Sequence, residues 1–318
     1  MTQALRVGFI GVGLMGHGVA KNMIERGGLT LTILGHRNRQ PVDDLLGRGA
    51  REAKRPSDLA AASDVVFLCL PSSAEVEAVV NGPDGLIFGQ AEGSAVIDMT
   101  TADPAVTRRI GAELALRGIG MLDAPLGRTP KEAEAGKLAT YVGGDAALIA
   151  TLRPVFETYA DTIIHCGPLG AGTTCKLANN SVTIGMATLI AEAFATAAKA
   201  GADLNALADV LGAGGADGRM WRMIEPWIRH GDDSHLKGPI RIAAKDLRTY
   251  AHLAEGAGSA IPVAQAVNQT LRLLLNQGHA DVFLPAMAGL IGELNNVKIR
   301  TGDVRECQAG ESQRHERR

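Results

Sequence analysis

The stretch Gly8-Phe9-Ile10-Gly11-Val12-Gly13-Leu14-Met15-Gly16, close to the amino terminus, decides the fold of this chain. The residues before the glycines form a short apolar run that is typical of a buried strand, and residues 16–26 carry apolar side chains at helical spacing. A glycine turn between a strand and a helix predicts a dinucleotide-binding site. In such a site Gly11 permits the tight turn, Gly13 admits a pyrophosphate, and Gly16 lets the helix pack closely on the strand.

Further apolar runs alternate with helical stretches through the first half of the chain. The predicted strands are Leu29–Leu34, Asp64–Leu70, Ala95–Met99, Gly120–Ala124, Leu138–Val142 and Thr162–His165. Strands that alternate with helices build parallel sheets. The sequence therefore predicts an α/β fold, with a Rossmann-type doubly wound sheet in residues 1–167.

The second half of the chain is helical in pattern. Residues 172–200 contain no proline and predict a helix about 45 Å long, which we interpret as an interdomain helix. From Leu204 onward the pattern is helical and shows no strand, so an all-helical carboxy-terminal domain is expected over residues 168–300. Residues 301–318 are polar and charged, and we expect a disordered tail there.

Composition indicates a globular protein and excludes several classes of partner. The chain has 318 residues and a formal net charge of −2, which gives no reason to expect nucleic acid or an anionic membrane as a partner. Its four cysteines form no C-x-x-C pair, and we predict no metal site. Neither a secretion signal nor an apolar segment approaching a membrane span is evident, so a cytoplasmic protein is expected.

The segment after the second strand, Gly35-His36-Arg37-Asn38-Arg39, bears on the choice of cofactor. Sites selective for NAD place an acidic residue about 20 residues beyond the glycine turn, whereas an arginine there suits the 2′-phosphate of NADP. The segment has arginines and no acid, so NADP(H) is favoured; a solvated basic loop in an enzyme that also accepts NAD(H) is the alternative. The predicted cofactor site thus comprises Gly11, Gly13, Leu14, Met15, Gly16, His36, Arg37, Asn38 and Arg39, together with Leu70, Pro71 and Thr100 in loops that follow later strands.

A lysine near the start of the long helix is the candidate catalytic group. Lys176 and Asn180 are four residues apart and share one helix face. The helix dipole and partial burial would both lower the pKa of this lysine, as a general acid near neutral pH requires. The alternative is a lysine that extends to solvent beside surface asparagines.

Four motifs in order give the chain a specific resemblance. They are the glycine turn, the segment Asp123-Ala124-Pro125 continuing to Gly143-Gly144, the segment Lys176-Leu177-Ala178-Asn179-Asn180, and Lys245-Asp246-Leu247. Together they resemble the β-hydroxyacid dehydrogenase family over nearly the whole chain. The resemblance implies that Lys176 is the general acid/base, that Asn180 positions the substrate, and that Lys245 and Asp246 lie at the edge of the cofactor and active site. It also implies a homodimer or homotetramer.

One motif departs from the family pattern. Most relatives follow Asp-Ala-Pro with a hydrophobic residue and Ser-Gly-Gly, whereas this chain has Leu126-Gly127-Arg128-Thr129. The G-R-T variant resembles that of 3-sulfolactaldehyde reductases. By this resemblance Gly127, Arg128 and Thr129, with Asn179 and Thr183 of the long helix, bind the anionic group of the substrate. The alternative is that Arg128 binds a carboxylate or pairs with an acidic neighbour such as Glu132.

The sequence therefore predicts an NAD(P)-dependent oxidoreductase that acts on a small anionic aldehyde or 3-hydroxyacid. The best single substrate is 3-sulfolactaldehyde; 3-hydroxyisobutyrate, tartronate semialdehyde and 3-hydroxy amino acids are the alternatives. A cofactor-binding sensor without turnover is the hypothesis from another class.

Overall fold

The computed structural model describes residues 5–35 and 37–299. They form two units, which divide inside a long helix after Ala178. Each unit has a hydrophobic core of its own. The predicted cofactor residue His36 and the predicted tail, residues 301–318, lie outside the described residues.

A mainly parallel sheet forms the centre of the first unit. Its strands are β1 (Arg6–Ile10), β2 (Thr30–Leu34), β3 (Arg51–Ala53), β4 (Val65–Leu68), β5 (Ala95–Asp98), β6 (Gly120–Asp123), β7 (Leu126–Gly127), β8 (Leu138–Gly143) and β9 (Ala160–Gly167). The first six lie in the order β3-β2-β1-β4-β5-β6 and are parallel throughout. This is the order of a dinucleotide-binding Rossmann sheet, and it confirms the predicted fold class.

The sheet continues beyond β6 with mixed strand directions. Asp123 of β6 pairs with Gly143 of β8 in antiparallel register, and β7 then pairs antiparallel with β8. β9 lies parallel to β8 on its other side. β6 and β7 therefore pair with successive parts of β8, and β7 lies beyond the end of β5.

The helices of the first unit pack on both faces of the sheet, where two separate apolar clusters are buried. They are α1 (Gly16–Glu25), α2 (Gln40–Gly47), α3 (Pro56–Ala61), α4 (Ser73–Asn81), α5 (Pro104–Ala115), α6 (Pro130–Glu134) and α7 (Ala146–Tyr159). Phe9 of β1 stacks on Phe67 of β4, with ring centroids 6.5 Å apart. Both rings are fully buried. The apolar runs that predicted buried strands thus supply the core between sheet and helices.

Two strands were missed by the sequence patterns. β3 has only three residues, two of them charged, and β7 has only two residues. Strands this short are held by pairing with a neighbour, so they leave no periodic apolar signal along the chain.

The second unit is helical, as expected, and no strand occurs among its described residues, 179–299. It contains most of α8 (Ala171–Lys199), followed by α9 (Leu204–Ala213), α10 (Arg219–His230), α11 (Ile240–Gly256), α12 (Pro262–Asn276) and α13 (Met287–Leu294). Trp221 stacks on Phe194 of α8 at a centroid separation of 5.9 Å. Trp221 and Trp227 are both buried, so they are core residues of this unit.

The predicted interdomain helix is present as α8, but the expectation that no apolar segment approaches a membrane span is wrong. By length and composition α8 could cross a membrane, and within the described part of the chain it is the one helix that could. Its apolar content has a packing explanation, because Ile184, Ala191 and Phe194 lie in the core of the second unit. Val182 and Leu189 of the same helix are exposed, so packing within the unit explains only part of its apolar surface.

Candidate functional site

The glycine turn has the conformation that its sequence predicts. Gly11 has a φ of +103°, which disfavours residues with a side chain, and a Cβ there would overlap the Cys69 carbonyl. A Cβ at Gly16 would overlap the Gly11 carbonyl, so the first turn of α1 packs directly on the glycine loop. Gly13 is exposed, and a Cβ there would meet no atom within 4 Å. The three glycines therefore differ in role as the dinucleotide motif requires.

The start of α1 suits an anionic ligand. Met15 stands at the N-cap position and provides no side-chain hydrogen bond to the helix. Leu14 beside it is 79% exposed. Because the first N–H groups of a helix have no intrahelical partner and carry partial positive charge, this turn fits the pyrophosphate of a dinucleotide.

Two further loops with predicted cofactor residues lie at the same edge of the sheet. Ile10, Leu68 and Asp98 end β1, β4 and β5 in register with one another. Beyond these ends the Leu70 N–H donates to the Thr100 hydroxyl over 3.1 Å. The loops that contain Leu70, Pro71 and Thr100 thus follow adjacent strands, at the edge where open α/β sheets bind their ligands.

The two arginines after β2 have different surroundings. Arg39 makes a bidentate contact with Glu52 of β3 and also donates to Asp43, and its hydrogen bonds to Glu52 contribute most to raising the pKa of this guanidinium. Arg37 is exposed and has no ion-pair partner among the described residues. Glu52 carries no signal in the sequence, because it lies after α2 in the chain and reaches the end of β2 only through the pairing of β2 with β3.

The long helix that carries the candidate lysine is anchored by one buried carboxylate. Asp123, at the end of β6, is fully buried and accepts hydrogen bonds from the N–H groups of Gly170 (2.7 Å) and Thr173 (2.6 Å). These N–H groups belong to the start of α8, where no intrahelical acceptor is available. The anchor sets the start of α8 against the end of β6, one turn before Lys176.

The predicted helix residues lie in successive turns of α8. Lys176 is partly buried, and Asn180 follows it one turn later on the same face. The Asn179 amide donates to Asn180 Oδ1 over 3.3 Å, and the Thr183 hydroxyl donates to the Asn180 carbonyl, also over 3.3 Å. The side chains named by the resemblance are therefore neighbours along a single helix.

A hydrogen-bond network in the helical unit orients Asn180. Its Nδ2 donates to Asp246 Oδ2 over 2.6 Å, and Asp246 of α11 is buried. The Lys245 ammonium lies 2.9 Å from the other oxygen of that carboxylate. Lys245 and Asp246, both predicted at the edge of the site, thus contact each other, and Asp246 also binds Asn180. One N–H of the Asn180 amide remains for another partner.

The residues of the G-R-T motif have partners within the first unit. Arg128 has a φ of +76°, a conformation in which a non-glycine residue is uncommon. Its Nη1 contacts Asp161 and the Lys137 carbonyl, and its Nη2 donates to the Thr162 hydroxyl over 2.9 Å. The hydrogen bond that Arg128 donates to Asp161 is the chief reason why the pKa of this guanidinium is raised. The acidic residue that Arg128 contacts is therefore Asp161, while Glu132 acts on it electrostatically.

The contacts of Thr129 and Arg128 decide which hydrogen-bond donors this motif has left for an anion. The Thr129 hydroxyl contacts Glu132 in a capping box at the start of α6. A guanidinium has five N–H groups, and the contacts of Arg128 occupy three of them. The Nε–H and one N–H of Nη2 remain without a partner among the described residues.

Two family models and several known proteins match this chain. Residues 6–167 match the NAD binding domain of 6-phosphogluconate dehydrogenase, and residues 170–291 match the NAD-binding domain of NADP-dependent 3-hydroxyisobutyrate dehydrogenase. The NAD-dependent L-serine dehydrogenase of Pseudomonas aeruginosa is 32% identical over 87% of this chain and 94% of its own length. The 2-hydroxy-3-oxopropionate reductase of Escherichia coli is 34% identical over 63% of this chain and 67% of its own.

A solved structure agrees with these matches. The 3-hydroxyisobutyrate dehydrogenase of Mycobacterium tuberculosis, solved with L-serine, superposes with a TM-score of 0.80 at 25% identity and covers 90% of this chain and 98% of its own. Fold and glycine turn define an oxidoreductase that binds a nicotinamide dinucleotide. The chain belongs to the β-hydroxyacid dehydrogenase family, as its motifs indicated.

Asp123→Asn should weaken both the fold and the site. The amide places an N–H donor against the N–H of Gly170 or Thr173, so we expect a loss of roughly 3 kcal/mol in unfolding free energy. Because the start of α8 would shift, kcat should fall as well. Urea denaturation and steady-state kinetics measure the two effects.

Asp145→Asn is the matched control. Asp145 also accepts a helix N–H, that of Leu148, but at an exposed N-cap where asparagine is an equally good residue. If both variants had the stability and kcat of the wild type, Asp123 would not be the anchor of α8.

Proposed function

We propose that this chain interconverts a small anionic aldehyde and the corresponding hydroxyacid, with Lys176 as the general acid/base and Asn180 as the residue that orients the substrate. The observation that carries this proposal is the arrangement of α8. Asp123 anchors the helix start, Lys176 follows within the next turn, and Asn180 shares its face one turn later. Two polar groups one turn apart on an anchored helix can both address a single oxygen atom.

In the direction of reduction, the side chains of α8 act on the carbonyl oxygen. When bound, the reduced nicotinamide supplies a hydride to the carbonyl carbon. Lys176 donates a proton from its ammonium to the oxygen as negative charge develops there, and it takes the proton back in the oxidative direction. The free N–H of the Asn180 amide donates to the same oxygen, since the other is held by Asp246. Lys245 neutralises Asp246 and so supports this orientation of the amide.

We assign the anionic end of the substrate to the G-R-T motif, with 3-sulfolactaldehyde as the best single substrate. The free Nε–H and Nη2 N–H of Arg128 are neighbouring donors on one planar guanidinium and suit two oxygens of a sulfonate. The backbone of Gly127 and the side chains of Thr129, Asn179 and Thr183 complete the proposed set. Since Asp161 pairs with Arg128, the guanidinium is held in a defined orientation for that role.

A carboxylate substrate is the second candidate, and a specific observation favours it. Asp161 neutralises part of the charge of Arg128, and the Thr129 hydroxyl already contacts Glu132. Both contacts reduce the positive charge and the hydrogen-bond donors that the motif offers to the third oxygen of a sulfonate. The relatives named for L-serine and 2-hydroxy-3-oxopropionate fit this alternative, which includes 3-hydroxyisobutyrate and 3-hydroxy amino acids.

We also propose NADP(H) as the preferred cofactor, with NAD(H) as the alternative. Arg37 supports this preference, because it is exposed and has no ion-pair partner within the described ranges, whereas Arg39 is engaged by Glu52. A cytoplasmic location and a homodimer or homotetramer remain part of the proposal. A sensor without turnover would bind cofactor and show no activity with any aldehyde.

Lys176→Ala should reduce kcat by roughly a thousandfold, since it removes the general acid, while NADPH still binds. NADPH fluorescence measures binding, and oxidation of NADPH with anionic aldehydes measures turnover. Lys199→Ala, at the other end of the same helix, is the control and should resemble the wild type. Full activity of Lys176→Ala would rule out this assignment.

Arg128→Ser should separate the two substrate candidates. With 3-sulfolactaldehyde as substrate, we expect a wild-type kcat/KM roughly a hundredfold above that for tartronate, methylmalonate or succinate semialdehyde, which equals about 2.7 kcal/mol. The variant should lose that advantage, because its hydroxyl cannot replace a charged fork. Arg153→Ser, which breaks an exposed pair with Glu157, is the control. Equal wild-type rates with a carboxylate would make Arg128 a general anion-binding group.

Arg37→Ala should raise KM for NADPH about tenfold and leave KM for NADH unchanged, because the contact to the 2′-phosphate is lost. Arg39→Ala should have a smaller effect on NADPH, since its guanidinium is already paired. Initial rates with both cofactors provide the measurement. An equal effect of Arg37→Ala on both cofactors would exclude a 2′-phosphate site at this residue.

A further inference from the structure

One face of the β7–β8 pair brings a tyrosine hydroxyl over the substrate motif. Gly127 pairs with Ala139 in the antiparallel register, and Tyr141 lies two residues further along the same face of β8. A Cβ at Gly127 would lie 2.8 Å from the Tyr141 hydroxyl oxygen and 3.3 Å from the Ala139 Cβ. The side chain of Tyr141 thus occupies the space in which a side chain at position 127 would begin.

The backbone of β8 at Tyr141 packs against the start of the catalytic helix. A Cβ at Gly172 would overlap the Tyr141 carbonyl, so the first turn of α8 packs directly on the backbone of Tyr141. Within this unit, the side chain of Tyr141 therefore meets the G-R-T motif, and its backbone meets the first turn of the helix that carries Lys176. No signal in the sequence analysis indicated this residue, because its place depends on the pairing of β7 with β8.

The surroundings of Tyr141 are polar and charged. Arg128, the residue that follows Gly127, is paired with Asp161. Tyr141 is partly buried, and in the described part of the chain its hydroxyl has no hydrogen-bond partner. Tyr159 differs, because it is fully buried among the aromatic rings of the core. Tyr141 thus presents a free O–H donor beside the free N–H donors of Arg128.

We propose that the Tyr141 hydroxyl is a specificity-determining group, which donates a hydrogen bond to the anionic end of the substrate alongside Arg128. This inference rests on the proposed function and adds a residue to it. Glycine at position 127 is required for this role, since any side chain there would displace the tyrosine hydroxyl. Where relatives have a serine in the motif, this chain supplies a hydroxyl from the neighbouring strand.

Tyr141→Phe tests the proposal, because it removes the hydroxyl and keeps the ring. A hydrogen bond to a charged group is worth about 1.5–3 kcal/mol, so KM for the anionic aldehyde should rise roughly tenfold or more. We expect kcat and KM for NADPH to stay close to the wild type. Tyr250→Phe, in the helical unit, is the matched control and should change none of these constants.

A neutral aldehyde separates recognition of the anion from a structural role. With propionaldehyde, which lacks the anionic group, wild type and Tyr141→Phe should have the same kcat/KM. If Tyr141→Phe lowered kcat/KM equally for both aldehydes, or changed neither, Tyr141 would not recognise the anion. Absence of turnover by the wild type with every aldehyde would instead refute the proposed function.

A double variant moves the hydroxyl from β8 to β7. Tyr141→Ala should raise KM for the anionic aldehyde, and the addition of Gly127→Ser should recover part of the loss, because the space is then open for a serine side chain. Gly127→Ser alone should raise KM, since its Cβ would lie 2.8 Å from the Tyr141 oxygen. If the double variant were no better than Tyr141→Ala, a hydroxyl at this place would have no role in binding.

Discussion

The hydrogen bonds from Gly170 and Thr173 to the buried Asp123 carboxylate are the constraint on which the site depends. They join the end of a sheet strand to the start of a helix that extends from one unit into the other. A buried carboxylate must be hydrogen-bonded to be tolerated, and a helix start needs acceptors for its free N–H groups, so each satisfies the other. The position of Lys176 relative to the sheet follows from this contact and not from the loop before the helix.

Glycine has a similar role at three places where backbone and side chain approach closely. Gly11 and Gly16 bring the first helix onto the glycine loop, Gly172 brings α8 onto the backbone of Tyr141, and Gly127 leaves room for the hydroxyl of that tyrosine. At each of these positions a Cβ would overlap or crowd a neighbouring atom. The glycine turn, the start of α8 and the G-R-T motif are therefore all shaped by the same requirement for close approach.

The polar and charged groups named above divide into those that are committed to contacts within the fold and those that keep free donors. Arg39 is held by Glu52 and Asn180 by Asp246, whereas Arg128 is oriented by Asp161 but keeps two N–H donors. Pairing of this kind lowers the entropy cost of ligand binding, because the side chain is already ordered.

The sequence by itself determined the fold class, the glycine turn, the long helix and the family, because each of these depends on residues that are close in the chain and on local periodicity. It also singled out Lys176, Asn180 and Arg128, although their roles are proposals. It missed β3 and β7, the partners Glu52 and Asp161, and Tyr141. Only the tertiary structure decided these points, since strand pairing and helix packing bring together residues that are far apart in sequence and carry no shared pattern.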